Sequence, residues 1–102
     1  MKLQAAIDRV TLEQAKDLAR QLDTIVDIIE MGTSLIKDYG FYALNKEALG
    51  LQHAELLLDA KTIDEGQYEF EKGFETRADI LTVMGAASQG TLETTYKVAE
   101  RY

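Results

Sequence analysis

Short apolar segments bounded by polar residues recur along the chain at nearly even spacing, a pattern typical of β-strands. The predicted strands are Leu3–Asp8, Ile25–Glu30, Glu55–Asp59 and Asp79–Val83. After each of them, apolar residues recur at the three- and four-residue spacing of an amphipathic helix. The predicted helices are Thr11–Leu22, Leu35–Leu44, Glu65–Phe74 and Thr91–Arg101.

This order of elements predicts an α/β fold in a single domain, residues 1–102, built from βα units of roughly 25 residues each. Alternating strands and helices form parallel sheets with right-handed crossovers. Nearly continuous apolar strands are expected where both faces of the sheet are covered. A small doubly wound sheet and part of a (β/α)8 barrel both satisfy the pattern.

The ends of the predicted helices carry specific signals. Thr11 and Gln14 have the spacing of a capping box, in which each side chain bonds the backbone N–H of the other residue. Asp64 lies just before the third helix and is expected to be its N-cap. Gly40 weakens the second helix.

The composition narrows the possible functions. The chain has 18 acidic and 11 basic residues and a formal net charge of −7, which argues against a general nucleic-acid surface. It has no cysteine, so disulfides and thiolate metal sites are excluded and a reducing, cytoplasmic location is expected. No apolar run approaches the ~20 residues of a membrane span, so no membrane partner is expected.

Acidic residues stand at the ends of three predicted strands, at Asp8, Glu30 and Asp59. Lys61 follows Asp59 by two residues, a spacing that places both side chains on one face of a strand. In parallel α/β folds the C-terminal ends of the strands form the active face. Clustered carboxylates need a cation, either Lys61 or a metal, and oxygen-only ligands favour Mg²⁺. The alternative is that these polar strand ends simply face water.

Four segments carry motifs that can be compared with known families. They are Leu3–Asp8, Val26–Thr33, Asp59–Asp64 and Ala78–Ala87. Together, and in register along the chain, they resemble the orotidine 5′-monophosphate decarboxylase suprafamily. Within it they are most similar to the 3-hexulose-6-phosphate synthases, and the 3-keto-L-gulonate-6-phosphate decarboxylases share most of the same motifs.

The resemblance implies half of a TIM (β/α)8 barrel and an aldehyde-lyase that joins formaldehyde to ribulose 5-phosphate through a Mg²⁺-stabilised enediolate. Glu30 and Asp59 are then expected to bind the metal. Asp8, Asp59 and Lys61 are expected to contact the sugar phosphate, with Asp8 and Lys61 acting at the developing oxyanion. Asp64 is expected to be catalytic in the site of the partner subunit, because the family forms dimers with sites at the interface.

The chain also departs from the family pattern. It stops after the fourth βα unit, whereas the family's chains are about twice as long, as a full barrel requires. Ser34 stands where proline is common, and Arg9 where the residue is usually apolar. A half-barrel leaves two strand edges and an apolar inner face uncovered. We therefore expect a homodimer that closes the barrel, or else a fragment or a designed half.

Other interpretations lead to different functions. A 3-keto-L-gulonate-6-phosphate decarboxylase would release carbon dioxide from a sugar-acid phosphate instead of joining two carbonyl compounds. A signalling receiver module also places acids and Mg²⁺ at strand ends, but it needs adjacent acids after its first strand and a lysine on a distant fifth strand. An inactive half-barrel scaffold would keep these residues for folding alone.

Overall fold

A computed structural model describes all residues 1–102, and its centre is a sheet of four parallel strands. The strands are β1 (Gln4–Ile7), β2 (Ile28–Met31), β3 (Glu55–Thr62) and β4 (Ile80–Val83). They lie side by side in chain order, β1-β2-β3-β4. A doubly wound sheet reverses its strand order at a switch point, so this order excludes that alternative. The α/β half-barrel is confirmed.

The strands are followed by helices that cover one face of the sheet. The helices are α1 (Leu12–Leu22), α2 (Thr33–Tyr39), α3 (Gly66–Glu75) and α4 (Gln89–Glu100), with a short 3-10 helix at Tyr42–Leu44. Ala15 and Ala19 of α1 and Leu35 of α2 join the same buried core as the strands, and α4 packs on α3 through Thr95 and Gly66. None of the helices has the length and apolar character needed to cross a membrane.

The two faces of the sheet differ in burial. The outer face lies under the helices, and its residues Ile29, Met31, Leu56 and Leu58 have no exposed surface. The opposite, inner face carries Gln4, Ala6, Ile28, Glu30, Leu57, Asp59, Ile80 and Thr82. Ala6 is exposed there, and Ile28 and Ile80 are only half-buried. The inner face is thus the uncovered face expected for a half-barrel, although Leu57 at its centre is only 8 % exposed.

Several predicted boundaries are wrong, including those of β2, α2 and β3. β2 begins at Ile28 because the N–H groups of Ile25 and Val26 still bond the carbonyl of Leu22, at 2.8 and 3.1 Å, and extend the turn of α1. α2 ends at Tyr39 because Gly40 adopts a φ of 81°, which only glycine adopts at little cost. β3 does not stop at Asp59 but continues to Thr62.

The capping predictions have mixed outcomes. The capping box of Thr11 and Gln14 is confirmed, with both side-chain bonds formed. The prediction that Asp64 caps α3 is wrong, since Glu65 occupies the N-cap position. The Asp64 carbonyl instead accepts the N–H of Gly66 at 2.7 Å. α4 begins two residues earlier than predicted because Ser88 caps it through the N–H of Thr91.

Asp23 fixes the loop that leads into β3. Its buried carboxylate accepts the backbone N–H groups of Gln52, His53 and Ala54 at 3.0, 3.1 and 2.9 Å. Burial alone would raise the pKa of Asp23, but these three donors outweigh it and hold the pKa below its usual value of 3.8. The clamp lies at the N-terminal end of β3, far along the strand from Asp59.

Candidate functional site

Asp59 is the best-connected acid of the inner face. Its Oδ1 accepts the hydroxyl of Thr82 at 2.7 Å, and its Oδ2 accepts the hydroxyl of Thr33 at 3.2 Å and the ammonium of Lys61. The side chain is only 14 % exposed. Burial would raise the pKa of Asp59, but the bonds from Lys61 and the two threonines lower it below its usual value of 3.8. Asp59 is thus an ionised, firmly oriented carboxylate.

A bulge in β3 aims Asp59 and Lys61 together. β3 advances four residues from Leu58 to Thr62 while β4 advances two, from Leu81 to Val83. Within the bulge Lys61 takes a φ of 48°, in the left-handed region. The hydroxyl of Thr82 closes it by accepting the Lys61 N–H at 2.9 Å while donating to Asp59. The extra residues explain why both side chains reach the same point.

Lys61 is held in its charged form. Its ammonium donates to Asp59 Oδ2 and, at 2.7 Å, to the hydroxyl of Thr33, while half of the side chain stays exposed. The hydrogen bond with Asp59 raises the pKa of Lys61 above its usual value of 10.5, and the charges of Glu30 and Asp8 raise it further. A lysine protonated at neutral pH can donate a proton or stabilise an oxyanion, but it is a poor general base.

Glu30 lies one layer deeper than Asp59. It pairs in register with Ala6 and Leu57, two residues before Asp8 and Asp59 on their own strands. Two residues along a strand correspond to roughly 6.6 Å. Its Oε1 accepts the side-chain amide of Gln4 at 2.6 Å. Glu30 therefore lies on the inner face of the sheet, and Gln4 orients its carboxylate from the side of the N-terminal strand ends.

Asp8 follows β1 and is held against the first turn of α2. The hydroxyl of Ser34 donates to Asp8 Oδ1. A Cβ on Gly32 would overlap the Asp8 carboxylate, so only glycine permits this approach. Asp8 and Glu30 both act electrostatically on Lys61. We call Asp8, Glu30, Asp59 and Lys61 together the acid–lysine cluster.

Of the residues singled out from the sequence, these four lie at one side of the molecule and Asp64 does not join them. Asp64 sits in the exposed loop between β3 and α3, and its carboxylate forms no bond within the chain. It lines a separate cleft of about 410 Å³ with Tyr68 and Thr91. Its predicted role in a partner's site stays a prediction.

The donors of the acid–lysine cluster fit Mg²⁺ in type. No three acidic or histidine side chains converge on one point. Mg²⁺, however, is usually held by one or two carboxylates and keeps several waters. Glu30 and Asp59 supply two carboxylates on adjacent strands. Asp59 Oδ2 accepts Lys61 and Thr33, whereas Oδ1 accepts Thr82 alone and keeps a lone pair for a metal. These two residues could hold the metal.

Four residues of the site were missed by the sequence analysis: Thr33, Ser34, Thr82 and Gln4. Each supplies a hydrogen bond to an acid of the cluster. Thr82 has a signal in the sequence, because it is the one polar residue in the apolar segment Ile80–Val83. Thr33 and Gln4 have none, since their roles depend on which neighbouring strand they face.

Comparisons with known proteins identify the family of the chain. A family model described as orotidine 5′-phosphate decarboxylase / HUMPS matches residues 1–102. The chain is 36 % identical over 102 residues to a 3-hexulose-6-phosphate synthase of Mycobacterium gastri. The alignment covers 100 % of this chain and 49 % of that protein.

Two crystal structures superpose well. One is a 3-hexulose-6-phosphate synthase, with a TM-score of 0.92, 38 % identity, and coverage of 99 % of this chain and 49 % of the other. The second is a 3-keto-L-gulonate-6-phosphate decarboxylase from Vibrio cholerae, with a TM-score of 0.91, 33 % identity, and coverage of 98 % and 47 %. The chain thus spans about half the length of the relatives it matches. It belongs to the orotidine 5′-phosphate decarboxylase / HUMPS family.

Proposed function

We propose that this chain carries the half-site of an aldehyde-lyase that joins formaldehyde to ribulose 5-phosphate with the help of Mg²⁺. The observation that supports this most is the Asp59–Lys61 pair, bound to Thr33 and Thr82 on the open face of the sheet. The similarity to 3-hexulose-6-phosphate synthases favours this reaction over others of the family.

The residues of the chain divide the work by their chemistry. Glu30 and Asp59 would hold Mg²⁺, which when bound would supply Lewis-acid stabilisation of negative charge on the sugar oxygens. Lys61 keeps its proton and stabilises the oxyanion that develops when a proton leaves the carbon beside the ketone. Asp8 contacts the substrate from β1. The new carbon–carbon bond then forms between that carbon and formaldehyde as the formaldehyde C=O π bond opens to an alkoxide. The alkoxide takes up one proton from solvent, which balances the proton released from the sugar.

Ligand binding tests the proposal directly. Ribulose 5-phosphate with Mg²⁺ is expected to raise the melting temperature of the chain, because a ligand at a hundred times its Kd adds about 2.7 kcal/mol to the free energy of unfolding. Loss of formaldehyde in the same mixture measures turnover. Ribose 5-phosphate, which lacks the ketone, is the matched control. A chain that neither melts at a higher temperature nor consumes formaldehyde is the inactive scaffold, and the proposal is then wrong.

A decarboxylase is the second candidate. The likeness to the Vibrio cholerae enzyme is almost as close as that to the synthase. A lysine that stays protonated could equally deliver a proton to the carbanion left by departing carbon dioxide. Release of carbon dioxide from 3-keto-L-gulonate 6-phosphate, without consumption of formaldehyde, would select this candidate.

We also propose that two copies associate as a homodimer across the open inner face. The edges of β1 and β4 are unpaired, the apolar residues Ile28 and Ile80 remain half-buried, and two copies have the length of one relative. If β4 of each copy paired in parallel with β1 of the other copy, the two sheets would close into one barrel of eight strands. Asp64, which is exposed, is free to reach the second copy.

Association is expected to be lost when a charge is placed on the inner face. Ala6→Glu adds a carboxylate at an exposed position of the monomer, but one that closure would bury beside the acids. Sedimentation velocity should give a dimer for the parent chain and a monomer for this variant. Ala48→Glu, at another exposed alanine, is the control and should remain dimeric. A parent chain that stays monomeric at high concentration contradicts the proposal.

A further inference from the structure

The first turn of α2 contacts two acids that belong to different strands. The hydroxyl of Thr33 donates to Asp59, at 2.7 Å to its carbonyl and at 3.2 Å to its Oδ2. The hydroxyl of the next residue, Ser34, donates to Asp8 Oδ1. Two adjacent residues of α2 therefore bond two carboxylates, that of Asp8 after β1 and that of Asp59 within β3.

The hydroxyl of Ser34 both donates and accepts a hydrogen bond. While its proton goes to Asp8, its oxygen accepts the backbone N–H of Arg9 at 2.9 Å. Arg9 has a φ of 51°, a left-handed conformation that a non-glycine residue adopts only when its surroundings compensate for the strain. The same oxygen thus fixes the backbone that follows Asp8 and the direction of the Asp8 side chain.

We propose that Ser34 is a positioning residue that sets the Asp8 carboxylate relative to the Asp59–Lys61 pair. Asp8 itself is exposed and follows the edge strand β1, so no packing holds it from the open side. Gly32 leaves room for the carboxylate beside the helix, and Ser34 supplies the bond that keeps it there.

The orientation of Asp8 can be measured without any activity. In the parent chain the three-bond Hα–Hβ couplings of Asp8 should show a single χ1 rotamer. Ser34→Ala removes both hydrogen bonds, and its couplings should average over several rotamers. Ser34→Thr retains the hydroxyl and should restore the single rotamer. Ser88→Ala is the matched control, because it removes a helix-capping serine that is bonded to Thr91 and does not touch Asp8.

The kinetic readout rests on the proposed function. Since a misplacement of about 1 Å can cost a hundredfold in rate, Ser34→Ala should lower kcat about ten- to a hundredfold with little change in KM for ribulose 5-phosphate. Ser34→Thr should recover most of kcat. An Asp8 rotamer that is equally ordered in Ser34→Ala, or a threonine variant that behaves like alanine, would overturn the role of Ser34. A parent chain without turnover but with the expected rotamer changes would overturn the proposed function alone.

Discussion

Replacing Lys61 with methionine is expected to lower the rate of the proposed aldol addition about 100- to 1000-fold, the usual cost of losing one donor to a developing oxyanion. Methionine keeps most of the length of the side chain and removes only the charge and the donors. Because the pKa of Lys61 is raised by its bond with Asp59, the residue is charged throughout the neutral range. Activity should therefore show no rise with pH that reflects deprotonation of this lysine.

A matched substitution separates this effect from a general loss of positive charge. Lys97→Met removes an exposed lysine of α4 and should leave the rate unchanged. The fold of Lys61→Met should persist, since Thr33 and Thr82 still bond Asp59. Initial rates of formaldehyde consumption at saturating ribulose 5-phosphate provide the measurement. A variant with full activity would remove Lys61 from the mechanism.

Replacing Leu58 with alanine is expected to reduce the free energy of unfolding by about 2–5 kcal/mol, the cost of emptying a buried leucine site. Leu58 lies in the central part of the sheet and has no exposed surface. It belongs to the core under the helices, and the surroundings of a truncated core residue relax only partly into the space left behind. In a domain of 102 residues this loss is a large part of the total stability.

The preceding residue, Leu57, is the natural control because it points to the opposite face. It lies on the open inner face and not in the core beneath the helices, and its side chain is 8 % exposed, whereas Leu58 has no exposed surface. Leu57→Ala should cost clearly less than Leu58→Ala in urea unfolding at a low, fixed protein concentration. Equal losses for the two variants would mean that the inner face is packed as well, contrary to the fold described above.

The fold could be predicted from the sequence because the hydrophobic period changes cleanly between strand and helix. The predicted boundaries of strands and helices were wrong where a backbone hydrogen bond, and not the type of residue, determined the local structure. Ile25 is apolar and β-branched, but its N–H bonds Leu22 and it stays in a turn, 68 % exposed. Aspartate is a favourable N-cap residue, but α3 begins one residue later than predicted, so that Glu65 and not Asp64 is its N-cap. Neither outcome depends on the pattern of apolar residues.

Less of the candidate site could be predicted. Side chains at strand ends converge in any parallel sheet, so Asp8, Asp59 and Lys61 could be grouped from their positions alone. The bulge that orients Asp59 and Lys61 could not, because it depends on how β3 and β4 pair. Glu30 was placed level with the other acids and lies a layer deeper, since its register is fixed by backbone pairing.

The Asp23 clamp has a consequence for how this chain could diversify. Its three N–H bonds anchor the entrance of β3 at the end of the sheet opposite Lys61. The hydrogen bonds that anchor β3 therefore lie at its N-terminal end, whereas the candidate catalytic residues Asp59 and Lys61 lie towards its C-terminal end. Substitutions in the acid–lysine cluster therefore leave this clamp intact, because none of its three hydrogen bonds involves a residue of the cluster.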